Sequence, residues 1–211
     1  MGTVQYNRAA AVAVQSFHVV LCDQPKQVTL LRECLKRLCY LEDLEIILPR
    51  LSPSRWGRLL RGLKFRHLDL LRTNAPHSVV AEFLEDHQNV AFLSVQSCGR
   101  TRKPCPLDGR ELRDLCDVSG PLGCVSALVH NNPVSRIAVH QSSCTAPTPF
   151  FILVPSLLTS TTGITVLDLE LSPMDFDVLD CLATGTPALK ALKLVEVQGT
   201  ALVSSSRIHP G

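Results

Sequence analysis

Aromatic residues make up only 5% of the 211 positions, which argues against an aromatic-rich sandwich and leaves Leu and Val to fill the interior. No apolar run reaches the roughly 18 residues that a membrane-spanning helix requires. The net charge of +2 is too small to imply nucleic acid or an anionic membrane surface as the partner. There is no N-linked glycosylation acceptor, and the nine cysteines are an odd number. The apolar start from Ala9 to Val14 runs into Gln15, Ser16 and His18 without a small-residue cleavage site, so it reads as part of a first repeat and not as a secretory leader. Reduced thiols in the cytosol or nucleus are therefore expected. Met1-Gly2 suggests a myristoyl acceptor, but Tyr6 stands where Ser or Thr is expected.

Signatures of catalysis are missing as well. The chain has no Gly-rich phosphate loop, no nucleophile elbow and no spaced His-Glu-His set, so neither catalytic residues nor a cofactor are expected. Zinc sites usually bring ligands in close sequence pairs. Cys34 and Cys39 have four residues between them within one predicted helix, while Cys98 and Cys105 are separated by six across a loop and lack a second pair. No metal site is expected on that basis. Cys116, near the exposed side of an irregular strand, is the thiol best placed to act as a nucleophile, although free Cys usually serves as a small buried hydrophobe.

What the chain does have is a repeated strand pattern. Val90-Ala-Phe-Leu93-Ser-Val95-Gln-Ser-Cys98 has the form apolar-x-x-apolar-x-apolar-x-x-Cys, the strand half of a leucine-rich repeat. Similar sets are Val14, Phe17, Val19 and Cys22; Leu41, Leu44 and Ile46; Phe65, Leu68, Leu70 and Thr73; Leu112, Leu115 and Val118; Val134, Ile137, Val139 and Ser142; Ile164, Leu167, Leu169 and Ser172; and Leu189, Leu192 and Leu194. Successive last apolar positions are 27, 24, 25, 23, 21, 30 and 25 residues apart, nearly all within the roughly 20 to 29 residues of such repeats. A strand with period two turns alternate apolar residues inward. Cys22, Thr73, Cys98, Ser142 and Ser172 supply small hydrogen-bonding side chains for the turn that leaves the strand.

Between the strands the period changes to about 3.6. Leu31, Cys34, Leu35 and Leu38 predict a helix over 27–39, and Trp56, Leu59, Leu60 and Leu63 form another helical stripe. Ser78 is the expected N-cap of a helix carrying Val79, Val80, Phe83 and Leu84, and a further helix is expected to start near Pro121. Ser172 and Pro173 are the expected start of a last helix with Phe176, Leu179 and Leu182 inward. Gly99 to Gly109 reads as a linker-like loop. The expected fold is an α/β leucine-rich-repeat solenoid, with parallel strands on the concave face and helices outside. A single domain of about eight irregular repeats is expected over 10–198, followed by a polar tail over 199–211.

Residues between and beside the inward pairs define the expected binding face: His18, Glu45, His67, Asp69, Phe92, Ser94, Gln96, Arg136, His140, Asp168, Glu170 and Lys193. Glu45, Asp69 and Asp168 predict an acidic middle, and Phe92 offers an aromatic anchor. Seven basic residues lie between Arg50 and Arg72, opposed by Asp69 alone. Within that stretch Arg55, Arg58 and Arg61 form a basic patch that fits RNA or another anion, although a solvated helix face is the plainer reading and the one favoured.

With these residues in place, the chain resembles the leucine-rich-repeat region of F-box proteins of mushroom-forming fungi. Leu112-Arg-Asp-Leu115-Cys-Asp-Val118-Ser-Gly120-Pro121, running through Ala127-Leu-Val129 to Pro133-Val134, is similar to that family's succession of strand, Gly-Pro helix start and Pro-Val strand start. Leu167-Asp-Leu169 before Ser172-Pro173 is similar to it too. The resemblance implies a non-enzymatic substrate receptor of a Skp-cullin-F-box ubiquitin ligase. A Skp-type adaptor is expected only if an F-box is supplied elsewhere, since the first repeat strand begins almost at once.

Overall fold

The computed structural model describes residues 8–20, 25–96, 104–140, 153–171 and 178–196. Eight strands form one all-parallel sheet in sequential order: β1 (Ser16–Val20), β2 (Asp43–Ile47), β3 (Leu70–Thr73), β4 (Phe92–Val95), β5 (Asp117–Gly120), β6 (Arg136–Val139), β7 (Val166–Leu171) and β8 (Ala191–Glu196). Parallel neighbours need a crossover. These are α2 (Pro25–Leu35), α3 (Pro53–Leu60), α4 (His77–Glu85), α5 (Leu122–Val129), α6 (Val154–Thr159) and α7 (Val178–Gly185), while α1 (Arg8–Ala13) precedes β1. Between β4 and β5 the described residues make turns and no helix.

Two inward rows cross the sheet. One is Phe17, Leu44, Leu71, Leu93, Val118, Ile137, Leu167 and Leu192; the other contains Val19, Ile46, Thr73, Val95, Gly120, Val139, Leu169 and Leu194. Their central members are buried, and residues between them are half-exposed or exposed apart from Ser119, so one face of the sheet packs into the core and the other is open. The entrance to each strand repeats one device. The carbonyl of Gln15 accepts the N–H groups of both Glu42 and Asp43, and the carbonyls of Glu42, Asp69, Ala91, Cys116, Ser135 and Thr165 each do the same for the next strand. This satisfies the backbone where the chain turns into the sheet.

The register corrects two of the sequence assignments. In β3 the template falls on Leu68, Leu71 and Thr73, three residues later than Phe65, Leu68 and Leu70; in β5 it falls on Leu115, Val118 and Gly120. Polar or absent side chains at two inward positions disguised both strands. Thr73 is only 2% exposed, and its hydroxyl accepts the Ala75 N–H at 3.0 Å. At Gly120 a Cβ atom would lie 2.7 Å from the Val95 carbonyl oxygen, so only glycine fits without displacement.

Helix ends differ in detail as well. Pro76 caps α4 and Ser78 makes no side-chain cap. Pro121 is the cap of α5 and not its first residue. Helix α2 ends at Leu35, so Cys39 lies beyond it. In α7 Val178 and Leu182 are buried, but Leu179 is 60% exposed. The described end of the supposed linker is packed and not free: Leu107 is fully buried. Cys22, Cys98, Ser142, Ser172, Pro173, Phe176 and the tail over 199–211 lie outside the described residues.

Candidate functional site

The open face of the sheet is organised by its central row, which reads His18, Glu45, Arg72, Ser94, Ser119, Ala138, Asp168 and Lys193 across adjacent strands. Neighbouring strands bring opposite charges together. Glu45 Oε2 lies 2.9 Å from His18 Nδ1 and accepts from Arg72 Nη1 at 3.2 Å. The His18 hydrogen bond and then the Arg72 charge hold the Glu45 carboxyl below its usual range, against the opposing effect of burial. Lys193 Nζ donates to Asp168 at 2.8 Å. The guanidinium of Arg72 also sits 5.7 Å from the ring centroid of Phe92, within cation–π range. Beside this row, Arg136 Nε is 3.5 Å from Asp117, whose carboxyl is pushed up by burial more than Arg136 draws it down.

Of the expected face residues, His18, Glu45, Ser94, Asp168 and Lys193 stand in the central row, and Phe92 and Arg136 stand in the row before it. Gln96 and His140 directly follow their strands, and Glu170 occupies the corresponding place within β7. His67 and Asp69 are not among the strand residues. Asp69 precedes β3 and uses its carbonyl for the Ala91 and Phe92 N–H groups, while His67 stacks on Tyr40 in the turn before it, with 5.7 Å between ring centroids. The three-residue shift of β3 puts Arg72 where an acidic residue was expected, so the middle of the face is of mixed charge and not acidic.

Ser119, His140 and Glu170 form a relay that was not anticipated. Ser119 Oγ is 3.0 Å from His140 Nε2, and His140 Nδ1 is 3.4 Å from Glu170. The order resembles that of a nucleophile, base and acid. Ser119, however, lies within a strand and is only 8% exposed, whereas a nucleophile elbow presents its hydroxyl on a sharp turn.

On the helical side Arg55, Arg58 and Arg61 line one groove of about 490 Å³ together with Arg32, Val28, Thr29 and Leu59. Part of that charge is engaged. Arg32 donates to the carbonyls of Arg58, Leu59 and Arg61 at the end of α3, and Arg61 Nε donates to Glu82 at 3.0 Å.

A second cluster lies where the crossover between β4 and β5 meets its neighbours. The ligand-type atoms of His77, Cys105 and Cys124 all lie within 4.8 Å of one another. His77 Nδ1 is 3.1 Å from Cys105 Sγ, and its Nε2 is 2.7 Å from the carbonyl oxygen of Gln96. A carbonyl can only accept, so Nε2 carries a proton. A hydrogen bond from Cys124, with another from the Leu107 backbone, outweighs burial and brings the Cys105 thiol down to about 4. His77 and Cys124 are buried and Cys105 is half-buried. Such a group can hold a soft metal ion, or it can pair a thiolate with an imidazole.

No family model, no curated protein and no solved structure matches the chain. Among the described residues no helix is long and apolar enough to cross a membrane.

Proposed function

We propose that the chain is a leucine-rich-repeat solenoid that recognises a protein partner through the open face of its sheet, without catalysis. The role is that of the substrate-binding repeats of an F-box receptor, and a Skp-type adaptor joins only through an F-box supplied elsewhere. The observation that carries this reading is the sequential all-parallel sheet, with its core face buried and its other face lined by charged, polar and aromatic side chains. The resemblance of 112–134 to the fungal family supports the receptor role.

The test is capture from cell extract with the native chain and with a variant carrying Glu45→Lys, Phe92→Ala and Asp168→Lys, read by mass spectrometry. Partners retained by the first and lost by the second support the face. Identical partners on both sink it. A second reading, anion or RNA binding, is favoured by one observation, the shared groove of Arg55, Arg58 and Arg61. It predicts binding that weakens steeply with salt and is lost when the three become Ala.

A further inference from the structure

The sheet and its helices are aliphatic and need no ion, yet three consecutive crossovers send a soft ligand to one point. His77 opens α4, Cys105 lies in the crossover between β4 and β5, and Cys124 stands in the first turn of α5. We propose that His77 Nδ1, Cys105 Sγ and Cys124 Sγ bind a divalent metal ion of the zinc class, which fastens the crossover between β4 and β5 to the helices on either side.

Two features of the geometry point to a metal ion. First, the imidazole is oriented as metal-binding histidines are: the nitrogen facing away from the sulfur atoms donates to a backbone carbonyl, leaving the other nitrogen's lone pair directed at them. Second, the spacing is suitable. Zinc bonds of about 2.3 Å to sulfur and 2.0 Å to nitrogen at tetrahedral angles place the ligand atoms about 3.5 to 3.8 Å apart. The three atoms already lie within 4.8 Å of one another, so small side-chain rotations close the site. Two thiols and one imidazole supply three of four tetrahedral positions and select a thiophilic ion over magnesium or calcium. Burial of His77 and Cys124 suits a structural site more than one that admits substrate.

The site has a structural use. The other described crossovers carry a helix, whereas the described part of this one packs through the buried Leu107, Leu112 and Leu115 and is held by Asn132, which bonds the Leu112 N–H and the Arg110 carbonyl. An ion would tie it further to α4 and α5.

The test begins with the reduced full chain, stripped of metal with a chelator, then given zinc and desalted. One zinc per chain is expected to remain. It is expected to be lost in Cys105→Ser, Cys124→Ser and His77→Gln, and retained in Cys116→Ser, which removes an exposed thiol elsewhere. A measurement without substitution guards against variants that fail to fold. Zinc is expected to slow alkylation of Cys105 and Cys124 at least about tenfold and to leave Cys116 unchanged, with sites read by peptide mass spectrometry. Retention of equal zinc by Cys105→Ser and Cys124→Ser, equal labelling with and without zinc, or a Cys105–Cys124 disulfide in place of metal would each overturn the proposal.

Discussion

Between pH 7.5 and 5.5, acidification should weaken this fold through His87. It is only 3% exposed and lies against Phe83, with ring centroids 3.9 Å apart. Its Nε2 accepts the Phe65 N–H at 3.0 Å, and its Nδ1 donates to the Phe83 carbonyl at 2.7 Å. The two backbone partners dictate the neutral tautomer, because an added proton on Nε2 would face the Phe65 N–H and break that bond. Burial lowers the His87 pKa, outweighing the Phe83 carbonyl bond that raises it. With the folded value below the unfolded one, near 6.5, the unfolded chain takes up the proton first. The contribution is complete above about pH 6.5 and is lost as the pH falls toward the folded pKa, by about 1.4 kcal/mol per unit at most. His87→Gln can keep an acceptor near Phe65 and cannot titrate, so its stability should fall less between pH 7.5 and 5.5. His87→Leu leaves a buried N–H unpaired, at about 1 to 3 kcal/mol, and loses an aromatic contact of about 0.5 to 1.5 kcal/mol. Urea unfolding at three pH values reads both effects. Parallel pH profiles for the native chain and His87→Gln would refute the reasoning.

Other substitutions probe separate parts of the fold. Asn132→Ala should cost about 3 kcal/mol in urea unfolding, since the buried amide accepts from the Leu112 N–H and donates to the carbonyls of Arg110 and Leu128. Gly120→Ala should cost about 1 to 3 kcal/mol through overpacking against the Val95 carbonyl, and an unchanged urea midpoint would count against the close approach. Asp117 has a raised folded pKa, so its contribution is present below the unfolded value and lost as pH rises through the folded one. Asp117→Asn should therefore gain up to about 1 kcal/mol at pH 7 and nothing at pH 3, with thermal melts at the two pH values as the check.

Much of the sheet was legible because alternating aliphatic pairs recur at nearly constant spacing. Leu44 and Ile46, Leu93 and Val95, and Ile137 and Val139 all face inward where the pattern puts them. The third and fifth strands were misregistered for a local reason. Leu68, Leu70 and Leu71 offer an apolar pair in more than one frame, and the frame actually used contains Thr73. In β5 the inward partner of Val118 is Gly120, which has no side chain. Backbone ladders set the register there, and no side-chain pattern reports them. Close sequence spacing, the usual sign of a zinc site, does not reveal the cysteine and histidine cluster. His77 and Cys105 are 28 residues apart, and Cys124 lies one crossover further on. Only stacking of adjacent crossovers brings them together.

The open face also constrains how it can bind. Nearly every charge in its central row already has an opposite neighbour on the next strand: Glu45 between His18 and Arg72, and Asp168 beside Lys193. A partner that binds mainly by charge must displace these contacts, and exposed pairs in high dielectric return about as much as they cost. Favourable free energy must therefore come from the apolar and aromatic surface exposed between the pairs. Phe92 under the Arg72 guanidinium is the best placed, because an aromatic or aliphatic partner group can cover the ring's edge while Arg72 keeps both its cation–π contact and its bond to Glu45. Binding at this face should consequently depend weakly on salt, whereas binding in the arginine groove should depend on it steeply. A salt titration of any captured partner thus separates the two surfaces before a single residue is changed.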